Sequence, residues 1–293
     1  MVDGDSAESG TTASPMDDVR RRYRAVQEAE GRPDRTQFTN SLKVFLAAVQ
    51  ERQASLSGEA SEVAPMLHEV AMAFYRTTQP ALARRAADLG LEFTPGNASL
   101  LHDKALILLA QNENLPEVVA LTDRAIEANP HDRGLWATRG DALRLLGRPD
   151  EAVDSYLRAQ DLDASSMQYV DKALKLAPTH AGALRKKLSI ARAIGGELPA
   201  LAACDELLKA NPEDLELQFS RAELLVAVGS LAEALEPLEK VRVAHPDDAR
   251  TALLRAHILF QLGRNEEAIP IAKAIVEGTT APEANALTEL ARL

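Results

Sequence analysis

Residues 133–164 read RGLWATRGDALRLLGRPDEAVDSYLRAQDLDA, and this stretch decides the fold. In its first half Trp136, Gly140, Leu143 and Leu146 recur at helical spacing. Gly147 and the Arg148-Pro149 pair then turn the chain, and Ala152, Tyr156, Ala159 and Leu162 line one face of a second helix. The reading is helix, tight turn, helix. The same layout returns in 215–246 through Ala222, Leu225, Val228, Gly229, Ala234, Leu238 and Val241. It returns again in 249–278 through Ala256, Leu259, Leu262, Gly263, Ala268, Ala272 and Ile275. Gly140, Ala222 and Ala256 are small where two helices must approach closely, which is a packing requirement rather than a catalytic one.

Two punctuation series set the period. Pro95, Pro130, Pro178, Pro212 and Pro246 close apolar helical stretches at steps of 35, 48, 34 and 34 residues. Gly147, Gly195, Gly229 and Gly263 are separated by 48, 34 and 34. Self-similarity at such a period marks a repeat architecture. Pro65, Pro80, Pro116, Pro149 and Pro199 are expected in first helical turns, where the missing N–H costs nothing. Pro15 and Pro33 flank the first helix, and Pro282 precedes the last. Pro237 and Pro270 are expected inside second helices, each bending its helix.

On these residues the sequence resembles the tetratricopeptide repeat family, whose unit is a 34-residue helix–turn–helix. Trp136, Gly140, Leu143, Gly147, Ala152, Tyr156 and Ala159 match its pattern, while Ala164 stands where a closing proline is expected. In 64–97 the matches are Leu67, Ala71, Phe74, Ala83, Gly90 and Pro95; in 98–132 they are Ala105, Leu108, Ala125 and Pro130. The unit 181–214 keeps Leu184, Gly195, Ala200 and Pro212, but has Leu188 and Leu207 where small residues usually sit. The resemblance covers about 61–282. It implies an all-α, right-handed superhelical solenoid of helix–turn–helix repeats, preceded by extra N-terminal helices.

The organisation expected along the chain follows from this frame. Residues 1–16 are rich in Gly, Ser, Thr and Asp and are expected to be disordered. A helical extension occupies 17–60, with Val19, Tyr23 and Val26 on one helix. Phe38, Leu42, Phe45, Leu46 and Val49 lie on a second helix, capped near Asp34 with Gln37. A first repeat block spans 61–164, and 165–180 (SSMQYVDKALKLAPTH) is an irregular single-helix insertion. A second block spans 181–282, and 283–293 begins a capping helix with Leu287, Leu290 and Leu293 on one side. Ending on an apolar leucine, the sequence also reads as a piece of a longer protein.

Chemistry is sparse. Lys plus Arg number 33 against 44 Asp plus Glu, a net charge of −11, which repels phosphate backbones and anionic lipid. Neither nucleic acid nor a membrane is therefore expected as a partner, and RNA binding would need basic stripes over several units. No apolar run approaches the roughly 18 residues of a membrane span, and a cytoplasmic location is expected. Cys204 is the single cysteine and reads as a buried, inert thiol. His68, His102, His131, His180, His245 and His257 form no metal-binding pair, and His131, His180 and His245 are expected exposed in turns. Asp3-Gly-Asp5 with Glu8 lacks the spacing of a calcium loop. Gly195-Gly196 is a turn rather than a phosphate loop, and Asn97 reads as a helix N-cap. No catalytic residue, metal or cofactor is expected.

The family resemblance implies binding along one face of the first helices. Carried to this sequence, that face holds His68, Met72, Tyr75 and Arg76, then His102, Leu106 and Leu109, then Asp141 and Arg144. It continues with Arg185, Ser189 and Arg192, then Phe219 and Glu223, then Leu253, His257 and Phe260. Arg185 and Arg192 lie seven residues apart within a locally basic stretch that also holds Lys186 and Lys187, suited to carboxylates of an acidic peptide. Arg144 is expected to approach this patch from the preceding block. Phe219 and Phe260 are candidate aromatic anchors. The clamp with which chaperone-binding members hold a terminal Glu-Glu-Val-Asp peptide is absent, because no asparagine occupies these positions. The expected function is a non-catalytic protein-interaction scaffold, with a regulatory or targeting module of a larger enzyme as the alternative. Self-association through the N-terminal helices is left open.

Overall fold

A computed structural model describes residues 14–30, 34–163 and 166–278, with side chains as far as Ile275. The chain divides into two compact units, Met1–Leu162 and Asp163–Leu293, and every regular element among the described residues is helical. Ala164, Pro33, Pro282, the Asp3–Glu8 stretch and the expected capping helix lie outside the described residues.

In the first unit α1 (Pro15–Glu30) and α2 (Arg35–Glu51) lead through a 3-10 segment (Gln53–Glu59) to three helix hairpins. These are α3 (Ala60–Arg76) with α4 (Pro80–Phe93), α5 (Ala98–Gln111) with α6 (Leu115–Ala128), and α7 (Arg133–Leu145) with α8 (Pro149–Asp161). The second unit opens with α9 (Gln168–Leu176). Three hairpins follow: α10 (Ala181–Ala193) with α11 (Glu197–Ala210), α12 (Leu215–Ala227) with α13 (Leu235–Ala244), and α14 (Ala249–Gln261) with α15 (Asn265–Gly278). Helix α1 begins at Pro15, and Met16 is buried, so order starts earlier than the composition of residues 1–16 suggests.

The hairpins begin and turn by one repeated local chemistry. Side chains of Asn97, Asp132, His180, Asp214 and Asp248 accept backbone N–H groups at the starts of α5, α7, α10, α12 and α14, satisfying donors that have no partner within the helix. His180 is thus a half-buried cap, not the exposed turn residue expected, whereas His131 and His245 are exposed. At the other end of each first helix one residue adopts positive φ. It is Thr78, Asn112, Gly147, Gly195, Gly229 or Gly263 in the six hairpins. In every case the next amide reaches back to the carbonyl five residues before it, as in Arg148 N to Leu143 O (2.9 Å) and Gln79 N to Phe74 O (2.9 Å). This is the closure that ends a helix and frees the chain to reverse.

The N-terminal helices share a single core with the first hairpin. Met16, Val19 and Val26 of α1 and Leu42, Phe45, Leu46 and Val49 of α2 pack with Val63, Leu67, Val70 and Phe74 of α3. Tyr23 and Phe45 contribute an aromatic contact with ring centroids 5.5 Å apart. Arg20 forks onto both carboxylate oxygens of Glu62 at 2.7 and 2.6 Å, fixing α1 against α3.

Two proline assignments need correction. Helix α3 starts at Ala60 rather than just before Pro65, so Pro65 lies in its second turn. Conversely, residues 231–234 form turns and α13 starts only at Leu235, which places Pro237 in a first turn instead of mid-helix. The chain absorbs Pro237 by delaying the helix rather than bending it. Pro270 does lie within α15.

Candidate functional site

Neighbouring hairpins are joined by a polar rung that recurs along each unit. Asp88 of α4 accepts Lys104 of α5 at 2.8 Å, and Asp123 of α6 accepts Arg139 of α7 at 2.7 Å. In the second unit Asp171 of α9 takes Lys187 of α10 at 3.0 Å, and Asp205 of α11 takes Arg221 of α12 at 2.7 Å. Every pair spans 16 residues, with the carboxylate on the earlier helix. For α5, α7, α10 and α12 the rung fixes where the helix sits on the helix before it, and so which of its residues share the first-helix face.

In the first unit that face carries half-buried Met72, Tyr75, Leu106 and Leu109, with exposed Arg76 and Arg144. Tyr75 packs on the core formed by α1 to α4. Two histidines tie the three first helices together. His68 Nδ1 and Asp103 Oδ2 are 2.6 Å apart, and His102 Nε2 lies 2.9 Å from Thr138 Oγ1. The Thr138 hydroxyl donates to the Gly134 carbonyl at 2.8 Å, so it accepts from His102, whose proton therefore sits on Nε2. The Asp103 hydrogen bond holds the His68 pKa above its ordinary value, while burial foremost holds that of His102 below. Asp141 accepts the Tyr156 hydroxyl at 2.7 Å and is thereby committed to the hairpin.

In the second unit Arg185, Ser189 and Arg192 are exposed on α10, and Glu223 is half-exposed on α12. The structure brings Arg192 and Glu223 together: Nη2 donates to Oε2 at 2.5 Å, and Nη1 to Ser220 Oγ at 3.3 Å. Lys187 is committed to the Asp171 rung, while Arg185 and Arg192 are the exposed cations of the 185–192 stretch. Phe219 is half-buried, packs on the core of α12 and α13, and carries the Arg250 guanidinium over its ring at 5.2 Å from the centroid. His257 and Phe260 are half-buried on α14, as is Leu253. Arg144 belongs to the first unit and Arg185 to the second.

Two residues of this face were missed by sequence reasoning. Val226 is half-buried and stands 34 residues after Arg192 and 34 before Phe260, so simple stepping by the repeat finds it. Arg250, likewise 34 residues after Glu216, pairs with that carboxylate at 3.4 Å.

Elsewhere the side chains are committed to structure. Cys204 is buried, its thiol pushed up to about 11 chiefly by burial, and donates to the Leu217 carbonyl at 3.3 Å. That thiol is no nucleophile near neutrality. Among the described residues no three His, Cys, Asp or Glu side chains group as metal ligands, and no helix is long and apolar enough to cross a membrane.

A tetratricopeptide repeat family model matches residues 103–167, 200–249 and 221–285, which together make up just over half of the chain. The chain belongs to the tetratricopeptide repeat family. Among curated relatives it is similar to tetratricopeptide repeat protein 33 of Mus musculus, 28% identical over 129 residues, covering 44% of this chain and 49% of that one. The Xenopus laevis protein of the same name is 36% identical over 69 residues, covering 24% of this chain and 26% of its own. The chain thus spans about half the length of the mouse relative it matches. Of solved structures, a tetratricopeptide repeat protein from Parabacteroides merdae ATCC 43184 aligns over 93% of this chain and 97% of its own. Its identity is 16% and its TM-score 0.44. Naa15/Naa10 bound to HypK-THB aligns over 78% of this chain and 38% of its own, at 22% identity and TM-score 0.39. Tetratricopeptide repeats generally mediate protein–protein interaction.

Proposed function

We propose that this chain is a non-catalytic scaffold that holds a segment of another protein against the first-helix faces of its hairpins. The observation that carries the reading is the line of half-buried Phe219, Val226, His257 and Phe260 on α12 and α14, beside exposed Arg185 and Ser189 on α10. Rings that keep part of their surface in water gain when a partner side chain covers them, and such aromatic anchors commonly dominate an interface. The flanking guanidiniums then set orientation and select a segment bearing carboxylates, because complementary charge steers docking more than it adds affinity.

The test is a capture experiment from source lysate, read by quantitative mass spectrometry. It uses wild type, Phe260→Ala, and the Arg185→Glu/Arg192→Glu double variant. A protein retained by wild type and lost from both variants, with helical circular dichroism unchanged, supports the reading. Truncating an anchor such as Phe260 should weaken binding by about 1–2 kcal/mol or more. Capture that is the same for all three proteins counts against this face.

A further inference from the structure

The geometry points to Glu223 as an internal occupant of the Arg192 guanidinium, a carboxylate that an acidic partner segment must displace. This inference rests on the proposed protein-binding role of the first-helix face. Arg192 and Glu223 sit on consecutive first helices, α10 and α12, in the same groove-facing line as Arg185 and Phe260. Their contact is short, at 2.5 Å, yet the two side chains remain 43% and 40% exposed. Such a pair is formed but not sealed, so a competing carboxylate can reach the guanidinium from solvent. Ser220 Oγ, 3.3 Å from the other Nη, supplies a second polar contact to the guanidinium that does not involve Glu223.

The surrounding charge says what the competitor is. Between Lys172 and Gly196 the sequence carries six lysines and arginines and no acid, within a chain of net charge −11. Lys187 is taken by Asp171, and Arg192 by Glu223, both acids lying outside that stretch. Arg185 stands exposed seven residues before Arg192, two helical turns along the same face. A peptide with carboxylates spaced along an extended backbone fits these two guanidiniums. Polyanionic RNA meets Glu213, Asp214 and Glu216 immediately beyond, where the charge reverses. The internal pair is exposed and screened by salt, so releasing Arg192 from it is worth about two- to five-fold in an equilibrium constant.

The experiment titrates a short fluorescein-labelled polyglutamate peptide with the full chain at low salt and reads anisotropy. Glu223→Gln should tighten the dissociation constant about two- to five-fold. Arg192→Gln should loosen it, and in that background Glu223→Gln should give no gain. Glu216→Gln changes the net charge equally on the same helix and should tighten less than Glu223→Gln. Single-stranded RNA of matched charge should fail to compete. Unchanged affinity in Glu223→Gln, or a gain that survives without Arg192, overturns the inference. So does peptide binding by neither wild type nor Glu223→Gln, or stronger competition by RNA. Phe260→Ala captured against the native partner reads the groove assignment separately: loss there with no response to Glu223→Gln overturns only the internal competition.

Discussion

Gly140 of α7 lies against the ring of Tyr156 on α8 so closely that a Cβ built on it would meet Cε1 at 2.7 Å and Cδ1 at 2.8 Å. Tyr156 cannot retreat, because it is fully buried and its hydroxyl is held by Asp141 at 2.7 Å. Alanine at 140 gains roughly 1 kcal/mol of helix propensity. It must also push the ring or spread the hairpin, which costs about 1–3 kcal/mol. Overpacking should win, so Gly140→Ala is expected to lower the urea midpoint with an unchanged slope. Gly90 gives the contrast. There an added Cβ meets the Leu100 methyls at 2.7 Å and its Cγ at 3.3 Å, a side chain that is also fully buried but, unlike the Tyr156 ring, can change rotamer and has no hydroxyl tethered to a carboxylate. Gly90→Ala should therefore cost at least about 1 kcal/mol less than Gly140→Ala. Equal losses at the two positions would refute the role of the ring.

Thr78 occupies the turn position that glycine fills in the last four hairpins, with φ of 59° against 71° at Gly147. A side chain in this region crowds the following carbonyl at about 1–2 kcal/mol, and β-branching makes it worse. Glycine removes that strain but returns freedom to the unfolded chain, which offsets about half of it. Thr78→Gly is thus expected to stabilise the first unit by about 0.5–1 kcal/mol, and Gly147→Thr to destabilise by more. Denaturant midpoints of the two variants check this. No gain in Thr78→Gly would mean that its hydroxyl bond to the Thr77 carbonyl, at 2.7 Å, outweighs the strain.

How far these features were legible in the sequence depends on whether one residue or a pair carries them. Helix–turn–helix units followed from proline and glycine steps, because a helix end is a local event written in a few adjacent residues. The same closure at Thr78 was hidden, since a β-branched residue does not announce positive φ, whereas Asn112 is a residue type that tolerates it. Pro65 and Pro237 were misplaced because a proline limits where a helix starts without fixing it. Pair-borne features were harder. Arg192 counted as free charge in the sequence because its partner Glu223 is 31 residues away, on another helix. The 16-residue rung was present in the sequence throughout, at the same steps as the prolines. It needed carboxylates and cations to be tracked jointly rather than as separate surface charges.

Stability of the first unit should shift with pH through His68 of α3 and His102 of α5, in opposite senses. His68 faces Asp103 on α5 and Glu69 on its own helix, and the Asp103 hydrogen bond foremost raises its pKa above the ordinary 6.5. A raised folded pKa gives stability that is complete below the unfolded value and is lost as pH rises through the folded one. Burial also raises the Asp103 carboxyl, which weights that partner toward low pH as well. His102 is the reverse case. Desolvation foremost lowers its pKa, with Asp132 and Asp103 pulling back, so its contribution holds above about 6.5 and is lost as pH falls toward the folded value. Asp103→Asn keeps the shape of the buried group but removes the charge that favours His68 protonation. The thermal-midpoint gap between wild type and Asp103→Asn should therefore be wide near pH 5.5 and narrow by about pH 8.5. Ring-proton titration should show the His68 midpoint falling in the variant while that of His102 stays below the ordinary value. A gap independent of pH would mean that Asp103 acts through packing alone, and that the bond to His68 carries no net charge preference.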